Sequence, residues 1–71
     1  MFILKIKEYR TIKRISQNKL ALLSGISQPY ICQLENNDIT GKSPTLKTIE
    51  SLGLALKINP LLLLEYNEES A

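Results

Sequence analysis

Residues 16–35 constrain the fold of this chain more than any other stretch, because two short helical patterns there flank a single glycine, SQNKLALLSGISQPYICQLE. Gly25 follows the first pattern, at the place where a helix often ends with a positive φ angle that glycine adopts without steric cost. Ser16 and Ser27 stand before the two patterns, and serine is a favoured N-cap residue. The stretch therefore predicts two helices joined by a tight turn. The predicted helices span residues 17–24 and 28–36.

The remaining sequence predicts an all-α domain. Its apolar residues recur at three- and four-residue spacing, and no stretch alternates as a strand would. Further helices are predicted over residues 3–14, over residues 46–56 and after the Asn59-Pro60 pair, where asparagine caps a helix and proline fits its first turn. A loop is predicted over residues 37–44. The residues expected to face the core are Ile6, Tyr9, Leu20, Leu23, Ile31, Leu34, Leu46, Ile49, either Leu52 or Gly53, and Leu56.

Two features of the later helices need a specific explanation. Gly53 lies inside the fourth predicted helix, where glycine costs about 1 kcal/mol relative to alanine, so we interpret it as a close-packing position. The fifth predicted helix carries four consecutive leucines, which cannot all face the core of one small domain. We therefore predict a surface there for a second copy or another protein. That surface comprises Leu61, Leu62, Leu63, Leu64 and Tyr66.

Composition excludes several classes of protein. A 71-residue chain forms one small domain and buries only about 60% of its unfolded surface. The single Cys32 cannot form an internal disulfide, and a chain without histidine is poorly suited to zinc, so no metal or cofactor is expected. The longest uncharged apolar run, residues 60–64, is far too short to span a bilayer. With no secretory signal, a cytoplasmic protein is expected. Paired carboxylates and a glycine-rich phosphate loop are missing as well, which argues against an enzyme.

Charge is distributed unevenly along the chain. Residues 1–57 hold all nine cations and four acidic residues, whereas residues 58–71 hold three acidic residues and no cation. A basic body with an acidic end suits a polyanionic partner such as DNA, although an ordinary solvated surface would also explain it. We assign the domain to residues 1–67 and a short acidic tail to residues 68–71.

The third predicted helix has polar side chains on the face opposite its two aliphatic residues, which suits the DNA major groove. Gln28 and Gln33 flank that face, and glutamine can form a two-bond pair with adenine that gives about 1–3 kcal/mol of discrimination. Pro29 can contact a thymine methyl group, or it can simply start the helix. These three residues are the predicted base contacts.

Phosphate contacts are expected on either side of the groove. Amide groups and helix N-termini bind phosphate well, and a lysine after the helix adds charge. Each such residue could instead be an ordinary solvated side chain, and Tyr30 could be a partly buried packing residue. The predicted phosphate contacts are Gln17, Tyr30, Asn36 and Lys42.

The spacing of these residues resembles the helix-turn-helix of the Cro/phage-repressor (XRE) family. The resemblance extends from residue 6 through the fifth predicted helix. It rests on Ser16-Gln17, Leu20-Ala21, Gly25-Ile26-Ser27, Ile31 and Leu34-Glu35. Asn37 and Lys57 depart from it, because glycine is usual at the first position and frequent at the second.

The resemblance implies a five-helix, lambda-repressor-like DNA-binding domain whose helices 2 and 3 form the helix-turn-helix. Helix 3 would enter the major groove, and dimers would bind near-palindromic operators. By position, Gln28, Pro29 and Gln33 would contact bases and Gln17 a phosphate. The resemblance also implies a partly buried structural ion pair between Arg10 and Glu35.

Three functions remain open from the sequence. The first is a sequence-specific transcriptional regulator, a repressor that binds double-stranded DNA as a homodimer. The second is an antitoxin that binds a toxin protein through its C-terminal leucines and represses its own operon. The third is an adaptor whose helix-turn-helix binds only protein, and the uneven charge argues mildly against it.

Overall fold

The computed structural model describes residues 2–36, 44–66 and 68. Its elements, in chain order, are strand β1 (Phe2–Leu4), helices α1 (Ile6–Ile12), α2 (Gln17–Ser24), α3 (Gln28–Glu35) and α4 (Leu46–Leu56), a 3-10 helix (Pro60–Leu63) and strand β2 (Leu64–Tyr66). The chain is therefore mostly helical, and the predicted all-α class with a helix-turn-helix is confirmed. Lys42 and the rest of residues 37–43 lie outside the described part.

Capping side chains explain why α2 and α4 begin where the sequence predicts. The Ser16 hydroxyl accepts a hydrogen bond from the Lys19 backbone N–H at 3.0 Å. The Thr45 hydroxyl accepts one from the Thr48 N–H at 3.1 Å. Each cap satisfies a backbone donor that has no partner inside its helix, which typically contributes about 1 kcal/mol.

The prediction of a fifth α-helix after Asn59 is wrong. Asn59 does cap a turn, because its Oδ1 accepts from the Leu61 N–H at 3.0 Å, but only the short 3-10 helix follows. The chain then extends as β2 and pairs antiparallel with β1. A helix of about seven residues is marginal by itself, whereas the pairing gives both short segments backbone partners.

The same pairing corrects the start of the first helix, which was predicted from residue 3. Phe2 pairs with Tyr66, Ile3 with Glu65 and Leu4 with Leu64, so α1 cannot begin before Ile6. The Phe2 and Tyr66 rings also meet edge to face, with centroids 5.2 Å apart.

Among the described residues, the core consists of nine aliphatic side chains drawn from every element except β2. They are Leu4, Ile6, Leu20, Ile31, Leu34, Ile49, Leu52, Leu56 and Leu63. Three predictions fail here. Leu23 and Leu46, both expected in the core, are 50% and 81% exposed, because no described element covers their side of α2 or the start of α4. Leu63, expected on the partner surface, is fully buried.

Gly53 is confirmed as a close-packing position between α4 and the 3-10 helix. A Cβ atom at Gly53 would lie 2.7 Å from the Pro60 Cα atom, closer than side chains tolerate. The helix then ends at Lys57, which adopts a left-handed conformation with φ 59°. This is the position at which the family often has glycine. In the described part of the chain, no helix is both long enough and apolar enough to cross a membrane.

Candidate nucleic-acid interface

The turn between α2 and α3 has the geometry that its sequence predicts. Gly25 adopts φ 74°, and its N–H donates to the Ala21 carbonyl at 2.9 Å, which closes the end of α2. The Ser27 hydroxyl accepts from the Tyr30 N–H at 3.4 Å and starts α3, with Pro29 in the first turn. The two helices are thus joined by three residues, and their relative orientation is fixed by local backbone geometry.

Helix α3 has one buried face and one polar face. Ile31 and Leu34 are fully buried in the core. Pro29 and Gln33 are exposed, and Gln28 is half-buried at the start of the helix. The polar face therefore includes all three residues predicted to contact bases, while the aliphatic residues anchor the helix.

An ion pair joins α1 to the end of α3. Arg10 Nε donates to Glu35 Oε2 at 2.7 Å, and Arg10 Nη2 donates to Glu35 Oε1 at 3.1 Å. The third donor, Arg10 Nη1, reaches the Ile15 carbonyl at 2.8 Å. The side chains are only 15% and 3% exposed, so this two-bond pair is largely removed from water. The pair occupies the two positions implied by the family resemblance.

Burial and charge have opposing effects on the Glu35 carboxyl group. Burial by itself raises the pKa of Glu35, but the hydrogen bonds from Arg10 and Gln17 and the Arg10 charge outweigh it, so its pKa is lowered. The hydrogen bond to Glu35 correspondingly raises the pKa of Arg10. Glu35 is therefore ionised at neutral pH, although almost no water reaches it.

Two glutamines extend the ion pair toward the polar face of α3. Gln17 Nε2 donates to Glu35 Oε1 at 3.0 Å, and Gln28 Nε2 donates to Gln17 Oε1 at 2.7 Å. Arg10, Glu35, Gln17 and Gln28 thus form a continuous chain of hydrogen bonds, which we call the amide relay. From the sequence, Gln17 and Gln28 are predicted as separate DNA contacts, and the bond between them is not predicted. Their shared place at the start of successive helices was the only signal in the sequence.

The other predicted contacts are arranged more loosely. Tyr30 is half-buried and packs against the core, which matches the packing alternative raised from the sequence. Asn36 is exposed and its amide nitrogen lies 3.6 Å from the Cys32 sulfur. Gln33 is exposed, and within the described residues no hydrogen bond holds its amide. The structure therefore brings Gln17 and Gln28 together but leaves Gln33 free to turn.

A sequence model of the helix-turn-helix family matches residues 6–63, which is most of the chain. The chain belongs to the XRE-type helix-turn-helix family. A solved structure similar to this helix-turn-helix protein is that of the restriction-modification controller protein C.AhdI from Aeromonas hydrophila. The two share 36% sequence identity over 83% of this chain and 85% of that chain, with a TM-score of 0.75. A search of curated proteins finds no match.

Family membership and structural similarity identify the chain as a DNA-binding transcription regulator and not an enzyme. Helix α3 of this helix-turn-helix protein presents a polar face on the side opposite its two buried aliphatic residues.

Proposed function

We propose that this helix-turn-helix protein is a transcriptional repressor that binds a near-palindromic operator as a homodimer, with α3 in the major groove. The observation that carries the proposal is the two-sided character of α3. Its buried residues Ile31 and Leu34 fix the helix on the core, while Gln28, Pro29 and Gln33 lie on its other side. Side chains near the start of such a helix reach base edges when the helix enters the groove.

The proposed contacts fall into two groups. Gln28 and Gln33 form hydrogen bonds with bases, and Pro29 packs against a thymine methyl group. The second group grips the phosphates on both sides of the groove and positions the helix without selecting a sequence. It comprises Gln17, Tyr30, Asn36 and Lys42.

The proposed dimer surface includes the exposed part of the C-terminal leucine segment. Leu61 is 71%, Leu62 48% and Tyr66 59% exposed. These side chains lie on the 3-10 helix and β2, and Leu64 is half-buried beside them. Helix-turn-helix dimers bind half-sites about one helical turn (roughly 34–36 Å) apart, so we expect that spacing for a dimer formed through these side chains.

Selection of bound sites from a random DNA pool tests base recognition. We expect a near-palindromic site, and Gln33→Ala should relax the preference at one position in each half-site. Lys42→Ala should instead weaken binding to all sequences alike. It should also reduce the slope of log affinity against log salt concentration by about 1, the value for one lost phosphate contact. Equal effects of the two variants on specificity would contradict this division of contacts.

Light scattering tests the dimer with two matched leucine variants. Leu61→Ser should shift the protein toward monomer and weaken operator binding, because it removes exposed apolar surface from the proposed interface. Leu22→Ser is the control, since Leu22 is 82% exposed on α2, a helix that contains none of the residues of the proposed interface. Neither change alters charge, so electrostatic attraction to DNA is unaffected. A strictly monomeric wild type at high concentration would contradict the dimer.

The similarity to C.AhdI supports a second candidate, control of restriction–modification genes. An operator upstream of such genes would favour it. The antitoxin hypothesis assigns the same exposed leucines to a toxin, and it predicts that a small basic protein co-purifies with the chain. A cytoplasmic location is part of each proposal.

A further inference from the structure

The amide relay connects a buried carboxylate to the residue at the start of α3. An ionised carboxylate can only accept hydrogen bonds, so the Gln17 amide must direct its NH₂ group toward Glu35 Oε1. The opposite orientation would place two acceptor oxygens against each other. The direction of the Gln17 amide, which is normally ambiguous, is therefore set by its chemical partner.

The orientation of Gln17 in turn fixes that of Gln28. With its nitrogen directed at Glu35, Gln17 presents its oxygen to Gln28, which must donate through Nε2, at 2.7 Å. One Nε2 hydrogen of Gln28 is used in this bond. Its Oε1 and its second Nε2 hydrogen remain, and these are the acceptor and donor that glutamine uses for the N6 and N7 atoms of adenine.

We infer that Glu35, acting through Gln17, sets the order of donor and acceptor that Gln28 offers to DNA, and so determines which base is preferred at that position. The inference rests on the proposed contact between Gln28 and a base. A freely turning amide can match either order of donor and acceptor on a base edge, whereas an oriented amide matches only one. Glu35 is a positioning residue, because its side chain is 3% exposed and reaches Gln28 only through Gln17.

Glu35→Gln provides a direct test because it preserves shape while giving the buried group a donor. Either orientation of the new amide sets its nitrogen against one Arg10 donor. The less costly orientation keeps the oxygen on Arg10 Nε, the 2.7 Å contact, and gives up the longer 3.1 Å contact with Arg10 Nη2, so the new nitrogen is directed toward Gln17. Gln17 then turns its oxygen toward position 35 and its nitrogen toward Gln28. Gln28 must now accept through Oε1, so the donor–acceptor order on its DNA side changes.

The measurement is the ratio of affinities for two duplexes that differ only at the base position relaxed by Gln28→Ala, at one fixed salt concentration. We expect Glu35→Gln to lower that ratio by as much as a good glutamine–adenine pair contributes, roughly 5- to 150-fold. The preference at the position relaxed by Gln33→Ala should be unchanged, because nothing in the described part of the chain orients Gln33. A merely structural role for Glu35 would weaken all duplexes equally.

Gln17→Met is the second variant, and it keeps the Arg10–Glu35 pair intact should Glu35→Gln fail to fold. It removes the middle of the relay at nearly constant length, so it should relax the same position. Because Gln17 is also a proposed phosphate contact, it should lower all affinities as well, but a uniform loss leaves the ratio unchanged. Asn18→Ala, at the exposed neighbour of Gln17, is the control that should alter no preference.

The outcomes separate the two proposals. If Gln28→Ala relaxes one position while Gln17→Met and every folded Glu35 variant leave that preference unchanged, the proposed function stands and the inference fails. If Gln28→Ala relaxes no position, the base contact itself fails, and the inference fails with it.

Discussion

Removing the Glu35 carboxylate should destabilise the whole domain. Glu35→Ala leaves Arg10 Nε and Nη2 without their acceptor in a site where the two side chains are 15% and 3% exposed. Breaking a buried pair from one side typically costs about 3–5 kcal/mol. We expect the lower end, about 3 kcal/mol, because Arg10 keeps its bond to the Ile15 carbonyl and can turn partly to water.

A loss of that size is large for a chain of this length. One kcal/mol shifts the melting temperature of a 60–100-residue domain by about 4–8 °C, so Glu35→Ala should lower it by roughly 12–24 °C. Urea unfolding followed by circular dichroism gives the free energy directly. An unchanged slope m would show that the variant alters stability rather than the extent of unfolding.

Two comparison variants isolate the cause. Arg10→Met combined with Glu35→Leu replaces the pair with apolar groups of similar size and should recover most of the loss. Glu65→Ala breaks the exposed Lys5–Glu65 pair, whose nitrogen and oxygen lie 3.2 Å apart, and should change the midpoint little. If Glu35→Ala leaves the melting temperature unchanged, or if the double variant is no more stable than the single one, the ion pair does not have the role assigned to it.

Three further predictions concern acidity, packing and backbone conformation. Because the pKa of Glu35 is lowered by folding from its ordinary 4.5, its stabilisation is fully present above that pH and is lost as pH falls through the folded pKa. Between about pH 6 and pH 3, the urea midpoint should therefore fall less with decreasing pH for Glu35→Gln, which cannot ionise, than for the wild type. An equal fall in the two proteins would refute this role of Glu35. Gly53→Ala should lower the stability of the domain in the same urea assay. Overlap of the new methyl group with Pro60 costs about 1–3 kcal/mol, against a gain of about 1 kcal/mol in helix propensity. A more stable variant would mean that Pro60 moves aside freely. Lys57→Gly should raise stability by roughly 0.5–1 kcal/mol, because glycine tolerates the φ of 59° that strains lysine, and a loss would contradict that account.

Local signals made the helix-turn-helix predictable. The starts of α2 and α3 depend on Ser16 and Ser27, and their junction depends on Gly25, all within a few residues of the structure they determine. The Arg10–Glu35 pair is a long-range contact, and only the family resemblance indicated it. Periodicity could assign Leu46 to a helix face, but it could not tell whether a neighbouring element covers that end of the helix.

The failed predictions involve partners that are distant in the sequence. The run of four leucines over residues 61–64 looks helical in isolation, but residues 64–66 are extended because they pair with β1 near the other end of the chain. The bond between Gln17 and Gln28 depends on the angle between two helices, which no local pattern encodes. The sequence thus predicts which residues are candidates for the site, but not the hydrogen bonds that join them.

The pairing of β1 with β2 also has a consequence for the order of folding. The two strands lie at opposite ends of the described chain, so their closure carries the largest entropic cost of any contact in the domain. The helices, whose contacts are mostly closer in sequence, should assemble first, and the strands should join them late. In hydrogen exchange under native conditions, the backbone amides of β1 and β2 should therefore exchange faster than those of α2 and α3. The helix-turn-helix would thus remain intact while the two strands separate.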